Sequence, residues 1–271
     1  MLACVAMSPL QAAALGAIQG LTEFLPVSSS AHLYVIPTML GWHYEGVAFD
    51  VALHIGTLAA LLLAFGREWW RLASGAFAED SVARAAARDA WLKLAVSSMP
   101  AAAAGLWLQD AAETMLRSLP LQAAMLLVFG FLLWWVDRVR PQREEMLTPG
   151  WRTCLFMGAA QAISLVPGVS RSGITITAGR AAALGRVSSA RFSFLLATPI
   201  TLGAALVELR RPAPDLPVST LVTGVAASAI VGLLAIRGLL AWLARAGFGA
   251  FFAYRAILAL VIVLYVVRHA P

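Results

Sequence analysis

Long apolar runs alternate along the chain with short breaks that carry arginine, glycine or proline, as at Gly66-Arg67, Asp137-Arg138 and Arg210-Arg211-Pro212. A helix needs ~20 apolar residues to cross the hydrocarbon core of a bilayer. Six full spans are predicted on that basis, over 47–66, 89–108, 119–136, 189–208, 216–236 and 249–267. A closed barrel would need strands of alternating polarity, which this Ala/Leu-rich pattern lacks. Two further apolar regions, 8–40 and 152–184, are interrupted midway by Leu25-Pro26-Val27-Ser28-Ser29-Ser30 and by Pro167-Gly168-Val169-Ser170-Arg171-Ser172-Gly173. Each reads as a broken, re-entrant helical hairpin.

The two interrupted regions are similar to each other. Gly16-Ala17-Ile18-Gln19 and Ser28/Ser30 recur as Gly158-Ala159-Ala160-Gln161 and Ser170/Ser172 at an offset of 142 residues, with the proline displaced by one. An internal duplication follows, with repeat one over about 8–136 and repeat two over about 152–267 of a single membrane domain, 1–271. Three spans between the hairpins put them on opposite faces, which makes the repeat inverted in topology. Loops 67–88, 137–152, 185–191 and 237–248 then share one side and carry twelve arginines, against four for 109–118, 209–215 and the C-terminus. The excess of positive charge assigns the arginine-rich side to the cytoplasm. The first hairpin and both termini are expected to face outward. Non-helical backbone at membrane depth survives only where protein or water satisfies it, so the two tips are expected to meet around a polar cavity.

Composition changes this picture only by closing the alternatives. With 61% apolar residues, 13% charged residues and a mean hydropathy of +0.80, the chain cannot cover a wetted globular surface. The net charge of +6 and pI near 10.1 do not mark a nucleic-acid binder. Of 20 basic residues 19 are arginines scattered between apolar runs, and an electrostatic footprint needs them clustered. Cys4 and Cys154 make no metal or redox spacing and read as packing residues. The N-terminus lacks a basic n-region and a small-residue cleavage site, so its first apolar run is expected to stay in the mature protein.

Glu23 is the sole charge between Met1 and Tyr44, and a carboxylate inside the membrane costs at least ~2.5 kcal/mol unless it has partners or work. Gln19 lies four residues earlier on the same helical face, so an amide and a carboxylate can address one ligand or metal. Pro26 breaks the helix, after which Ser28, Ser29 and Ser30 offer hydroxyls and free N–H groups, with His32 close by. Serine beside an imidazole with a carboxylate near is the inventory of an activated nucleophile or of general acid–base chemistry. In the second hairpin Arg171 stands beside Gly168, Ser170, Ser172 and Thr175, where a helix N-terminus and a guanidinium together make an anion site suited to phosphate. Structural alternatives stay open: a neutral Glu23 bridging helices, serines as N-caps, and an Arg171–Glu23 ion pair joining the hairpins. Asp50 and His54, four apart at the start of a span, could bind a metal or make an interhelical hydrogen bond. Trp69-Trp70 and Trp134-Trp135 read as interfacial belts, and the Arg/Glu segment 137–145 as solvated surface.

The run Gln19-Gly20-Leu21-Thr22-Glu23-Phe24-Leu25-Pro26-Val27-Ser28-Ser29-Ser30-Ala31-His32, with Pro167 to Thr175, resembles the two signature motifs of the undecaprenyl-diphosphate phosphatase (bacitracin-resistance) family. Phe49-Asp50-Val51 to His54 with Gly56-Thr57, and Arg191 to Leu196, are similar to it as well, so the resemblance covers essentially the full length. It implies an all-α, multi-pass enzyme of the bacterial cytoplasmic (inner) membrane that hydrolyses undecaprenyl diphosphate to the monophosphate, recycling the lipid carrier for peptidoglycan synthesis and conferring bacitracin resistance. It implies a divalent cation, Mg2+ or Ca2+, a polyprenyl diphosphate lipid as substrate, a site toward the periplasmic side, and room for a homodimer. Carried over by position, Glu23, Ser29, His32 and Arg171 are catalytic, Ser28, Ser30, Gly168, Ser170, Ser172 and Thr175 bind substrate, and Glu23 with Gln19 holds the metal. One departure bears on that last assignment, since Gln19 stands where the motif often has Glu, and an amide coordinates without ionising.

On this reading Ser29 is the nucleophile, His32 a proton shuttle and Glu23 a metal ligand or orienter, with a water nucleophile activated by His32 or Glu23 as the alternative. The rival from another class is a secondary transporter or lipid flippase, because inverted repeats with broken helices also build transporters.

Overall fold

The structure is a computed structural model and describes residues 7–42, 46–114, 118–142, 148–208 and 216–269. Every element among them is helical. The first hairpin is α1 (Pro9–Phe24) and α2 (Ser29–Leu40). It is followed by α3 (Val47–Ala64), α4 (Gly66–Gly75), α5 (Ser81–Thr114) and α6 (Leu119–Val139). The second hairpin is α7 (Trp151–Ala162), a 3-10 turn at Ile163–Leu165, and α8 (Arg171–Ala181); α9 (Arg186–Glu208), α10 (Val218–Leu243) and α11 (Gly249–Arg268) complete the chain. Four helices, α6, α9, α10 and α11, are long and apolar enough to cross a membrane, and α3 with α4 makes a fifth candidate. The protein is therefore a multi-pass helical membrane protein.

Local chemistry explains where the elements start and stop. Ser8 opens α1 by accepting the Gln11 N–H at 3.2 Å, while the Gln11 side chain accepts the Ser8 N–H at 2.9 Å, a reciprocal cap that closes the first turn. The predicted boundaries shift in three places. Segment 67–88, read as a loop, is largely helical: α4 leaves α3 at a bend of 71°, with Leu72 turned inward and Trp70 and Arg71 outward. The span read from 89 begins at Ser81, because the Asp80 carboxylate accepts the N–H groups of Val82 at 3.0 Å and Ala83 at 3.4 Å and starts a polar extension that an apolar window passes over. Asp137-Arg138 is no break, since α6 continues to Val139.

Asp137 also corrects the reading of 137–145 as solvated surface. Its carboxylate is buried between Arg180 Nε at 2.8 Å and Arg186 Nη2 at 2.9 Å, two arginines that the fold brings from more than forty residues away. Cys154 is buried in the main core, as a packing residue. Cys4 and the whole of loop 209–215, with its Arg210-Arg211-Pro212 break, lie outside the described residues.

The hairpins are held by small residues rather than by bulk. A Cβ placed on Gly16 would lie 2.1 Å from the Gly224 carbonyl of α10, and one on Gly158 would lie 2.1 Å from the Ser97 carbonyl of α5. Helices in lipid associate through such close backbone approach, because lipid tails are as apolar as leucine and leave packing as the driving term. Positions 142 apart thus make the same kind of contact with different long helices.

Gly16→Ala is expected to destabilise the protein by about 1–3 kcal/mol, the cost of overpacking a close contact, whereas Gly203→Ala, which meets open space, is expected to be neutral. Thermal unfolding of the detergent-purified variants checks the contrast.

Candidate active site

Glu23 ends α1 inside the bundle, and four elements converge on its carboxylate. Arg171, the first residue of α8, donates to Oε1 from Nη2 at 2.9 Å and from Nε at 3.3 Å. Ser29, the first residue of α2, donates its hydroxyl to Oε2 at 2.5 Å. Gln19, one turn earlier on α1, donates from Nε2 to Oε2 at 3.2 Å. His54 of α3 brings Nε2 to 3.4 Å from the same oxygen. The side chains of Glu23 and Arg171 are only 7% and 12% exposed, so the pair joins the two hairpins away from bulk solvent.

The two broken segments present these groups in the same way. Ser28 and Ser170 both have positive φ, 75° and 77°, which is uncommon for a residue with a Cβ and typical of strained functional turns. Each precedes a helix whose first residue reaches Glu23, so the turn aims Ser29 from one hairpin and Arg171 from the other. Ser28 Oγ lies 3.2 Å from Ser30 Oγ, and Ser170 Oγ lies 3.2 Å from Ser172 Oγ. Ser170 caps α8 by accepting the Gly173 N–H at 3.1 Å. Gly168 has φ of 95°, and a Cβ there would lie 2.7 Å from the Gln122 carbonyl, which fixes glycine at this turn.

The expected site residues separate into those that face Glu23 and those that build the turns behind it. Gln19, Ser29 and Arg171 meet at the carboxylate. Ser172 donates to the Leu25 carbonyl of the opposite hairpin at 3.2 Å. Thr175 is fully buried and shares a 2.6 Å contact with Ser193 Oγ while donating back to the Arg171 carbonyl at 2.8 Å. Ser30 is exposed beside Ser28. His32 sits apart from Ser29: Nδ1 donates to the Ser28 carbonyl at 2.7 Å, which leaves Nε2 to accept the Tyr254 hydroxyl at 2.7 Å. Asp50 is buried, and its carbonyl takes the Nδ1 proton of His54 at 2.7 Å, so the other ring nitrogen is the one turned toward Glu23.

Three residues at the site escape a reading of local motifs. The local pattern offers His54 a metal or an interhelical hydrogen bond without naming the partner on another helix, and its approach to Glu23 depends on how α3 packs on α1. Tyr254 and Arg255 lie 222 and 229 residues from their partners His32 and Pro26. The one signal for Arg255 is its charge within an otherwise apolar span.

The fold and the site together define a polytopic helical membrane protein in which two broken helices deliver a carboxylate, a serine hydroxyl and a guanidinium to one buried point. The chain itself is a member of the family described as bacitracin resistance protein BacA, which matches residues 12–261. Its relatives agree over nearly their whole lengths. It is 43% identical over 258 residues to an undecaprenyl-diphosphatase of Pelotomaculum thermopropionicum, covering 95% of this chain and 97% of the relative. It is 46% identical over 267 residues to an undecaprenyl-diphosphatase of Gemmatimonas aurantiaca, covering 94% and 97%. A third undecaprenyl-diphosphatase, from Chromohalobacter salexigens, is 43% identical over 266 residues, covering 96% and 100%.

Removing one partner of a buried ion pair leaves the other charge uncompensated. Arg171→Met is expected to cost about 3–5 kcal/mol of stability, and Arg171→Met with Glu23→Gln to recover most of it. Thermal melting of the wild type, both single variants and the double variant measures that coupling.

Proposed function

We propose that this chain is a membrane phosphatase that hydrolyses undecaprenyl diphosphate to undecaprenyl phosphate and inorganic phosphate. The observation that carries the reading is Glu23, whose carboxylate takes the Ser29 hydroxyl proton at 2.5 Å while Arg171 holds its other oxygen at 2.9 Å. A base, a nucleophile and an anion clamp thus share one buried point, within a family whose relatives carry that activity in their names.

In the mechanism, the prenyl chain stays in lipid while the diphosphate reaches the hairpin tips. Arg171 spends Nε and one Nη2 hydrogen on Glu23, which leaves guanidinium hydrogens free to bind the distal phosphoryl group. Ser29 Oγ attacks the distal phosphorus as its proton passes to Glu23 Oε2. The bond from that phosphorus to the bridging oxygen breaks, and undecaprenyl phosphate departs. Water then attacks the phosphorus of the phosphoserine, the bond from phosphorus to Ser29 Oγ breaks, Glu23 Oε2 returns its proton to Oγ, and the phosphate leaves with the oxygen and protons of the water. His54 Nε2 steadies Oε2 throughout. His32 moves a proton only by way of the Tyr254 hydroxyl, since its other nitrogen is committed to the Ser28 carbonyl. Positioning and charge neutralisation supply most of the rate in phosphoryl transfer, and both are built into this arrangement.

The residues fit a divalent cation. Gln19 is fully buried and its Oε1 has no hydrogen-bond partner among the described residues, an acceptor left over beside a carboxylate. No cluster of three or more His, Cys, Asp or Glu side chains forms a cage among the described residues. Glu23 and Gln19 would therefore hold Mg2+ or Ca2+ together with oxygens of the substrate. Such a cation neutralises charge on the transferring phosphoryl group. We place the enzyme in the bacterial inner membrane as one domain of two inverted repeats, with its site toward the periplasm and the arginine-rich loops in the cytoplasm.

Phosphate release from a prenyl diphosphate by detergent-purified protein tests the reading, because a transporter has no two sides to work between in detergent. Wild type is expected to release phosphate with Mg2+ or Ca2+ and to lose activity with chelator. Arg171→Ala is expected to fall to background and Ser29→Ala by at least about a thousandfold. His54→Gln is expected to lower kcat by roughly ten- to a hundredfold. A labelled phosphoserine trapped by acid quench identifies Ser29 as nucleophile; full activity in Ser29→Ala with no trapped label identifies water.

A further inference from the structure

Away from the hairpin tips, a cavity of about 390 Å3 opens where α3 bends into α4 against α9 and α10. Arg67, Arg191 and Arg237 line it, with Glu68 as the one carboxylate among them. Arg191 is committed, paired to Glu68 and lying 5.8 Å over the Phe65 ring. Arg67 and Arg237 are exposed and have no ion-pair or hydrogen-bond partner among the described residues.

The position of the cavity says what kind of molecule meets these charges. Ala64 ends α3, Arg191 lies five residues into α9, and Arg237 lies six residues before the end of α10 at Leu243, so the cavity sits at one end of helices that cross the membrane. The short helix α4, turned through 71° with Trp70 at 73% exposure beside exposed Arg67 and Arg71, has the makeup of a segment lying in the interface. Leu63 lines the same cavity and is 69% exposed, which continues the charged mouth into an apolar wall. Three guanidinium groups against one carboxylate at headgroup depth, over an apolar wall, match a phosphodiester carrying acyl chains.

We propose that this cavity binds the headgroup of an anionic phospholipid, with the phosphate between Arg67 and Arg237 and an acyl chain along Leu63. Arg191 shapes the floor of the site through its contacts with Glu68 and Phe65. This site lies on other elements than Ser29 and Arg171, so its occupancy does not depend on the proposed chemistry.

Native mass spectrometry of the full chain in detergent tests it with phosphatidylglycerol, phosphatidylcholine and inorganic phosphate as probes. Wild type is expected to retain one phosphatidylglycerol under activation that strips phosphatidylcholine, and tenfold excess inorganic phosphate is expected not to displace it. Arg67→Gln with Arg237→Gln is expected to bind about thirtyfold more weakly, roughly fivefold for each cation removed from a lipid surface. A control pair, Arg84→Gln with Arg88→Gln, is expected to bind like wild type. Melting temperature and phosphate release are expected to stay at the wild-type level in both pairs, which shows that the variants fold. Equal retention of the two lipids, displacement by inorganic phosphate, undiminished binding in the Arg67/Arg237 variant or an equal loss in the control pair would each overturn the proposal.

Discussion

Arg255 is the contact on which the two broken helices depend. It projects from the second turn of the apolar helix α11, is 0% exposed, and donates to five backbone carbonyls: Pro26, Leu126, Met125, Gly168 and Val169. Breaking a helix inside a membrane strips carbonyls of their partners, and lipid offers none in return. One planar guanidinium, with donors fanned in a fixed fork, serves the tips of both hairpins at once. Pro26 in the first and Gly168 and Val169 in the second can therefore turn sharply inside the bundle. Without those donors the carbonyls at both breaks would be buried unpaired.

The aim matters because positions 142 residues apart, which follow two similar turns, carry different residues. Ser29 and Arg171 stand 142 residues apart, each first in its helix, each following a serine of positive φ. Both bond the one carboxylate, Glu23, whose counterpart at the same offset is Leu165. Two turns of the same geometry thus carry different residues at the position that follows them, and that difference divides the labour between the hairpins. One hairpin brings the hydroxyl and the carboxylate, and the other brings the positive charge. The ion pair between them also bonds the hairpins to each other, so the residues that would engage phosphate hold the fold in its absence.

A second buried arginine repeats this logic at the far end of α8. Arg180 is 0% exposed, bonds Asp137 at 2.8 Å and reaches the carbonyls of Arg140 and Leu184, while Arg186 takes the other carboxylate oxygen. α8 is therefore anchored at its start through Arg171 and at its end through Arg180, by charges satisfied within the protein. In a low-dielectric setting such charges persist where a counter-charge or backbone carbonyls meet them. That requirement places them where the chain bends or ends.

The sequence by itself determined the class of the molecule. Length and polarity of the apolar runs set a helical membrane protein, the proline and serine interruptions marked the broken hairpins, and the charges Glu23 and Arg171 pointed to the candidate site, since an ionised group among apolar residues stands out against its surroundings. Tertiary structure alone decided the partners. His32 is two to four residues from the serines in sequence yet faces Tyr254, whereas His54, on another helix, turns its free nitrogen to Glu23. Asp137 looked like the start of a polar loop because polarity reads as exposure until Arg180 and Arg186 are brought to it. The physical reason is common to all of these cases. Transfer of a residue from water to lipid depends on its own chemistry and is written in the local pattern. Which buried donor meets which acceptor depends on helix packing across separations of up to 229 residues, which no local pattern carries.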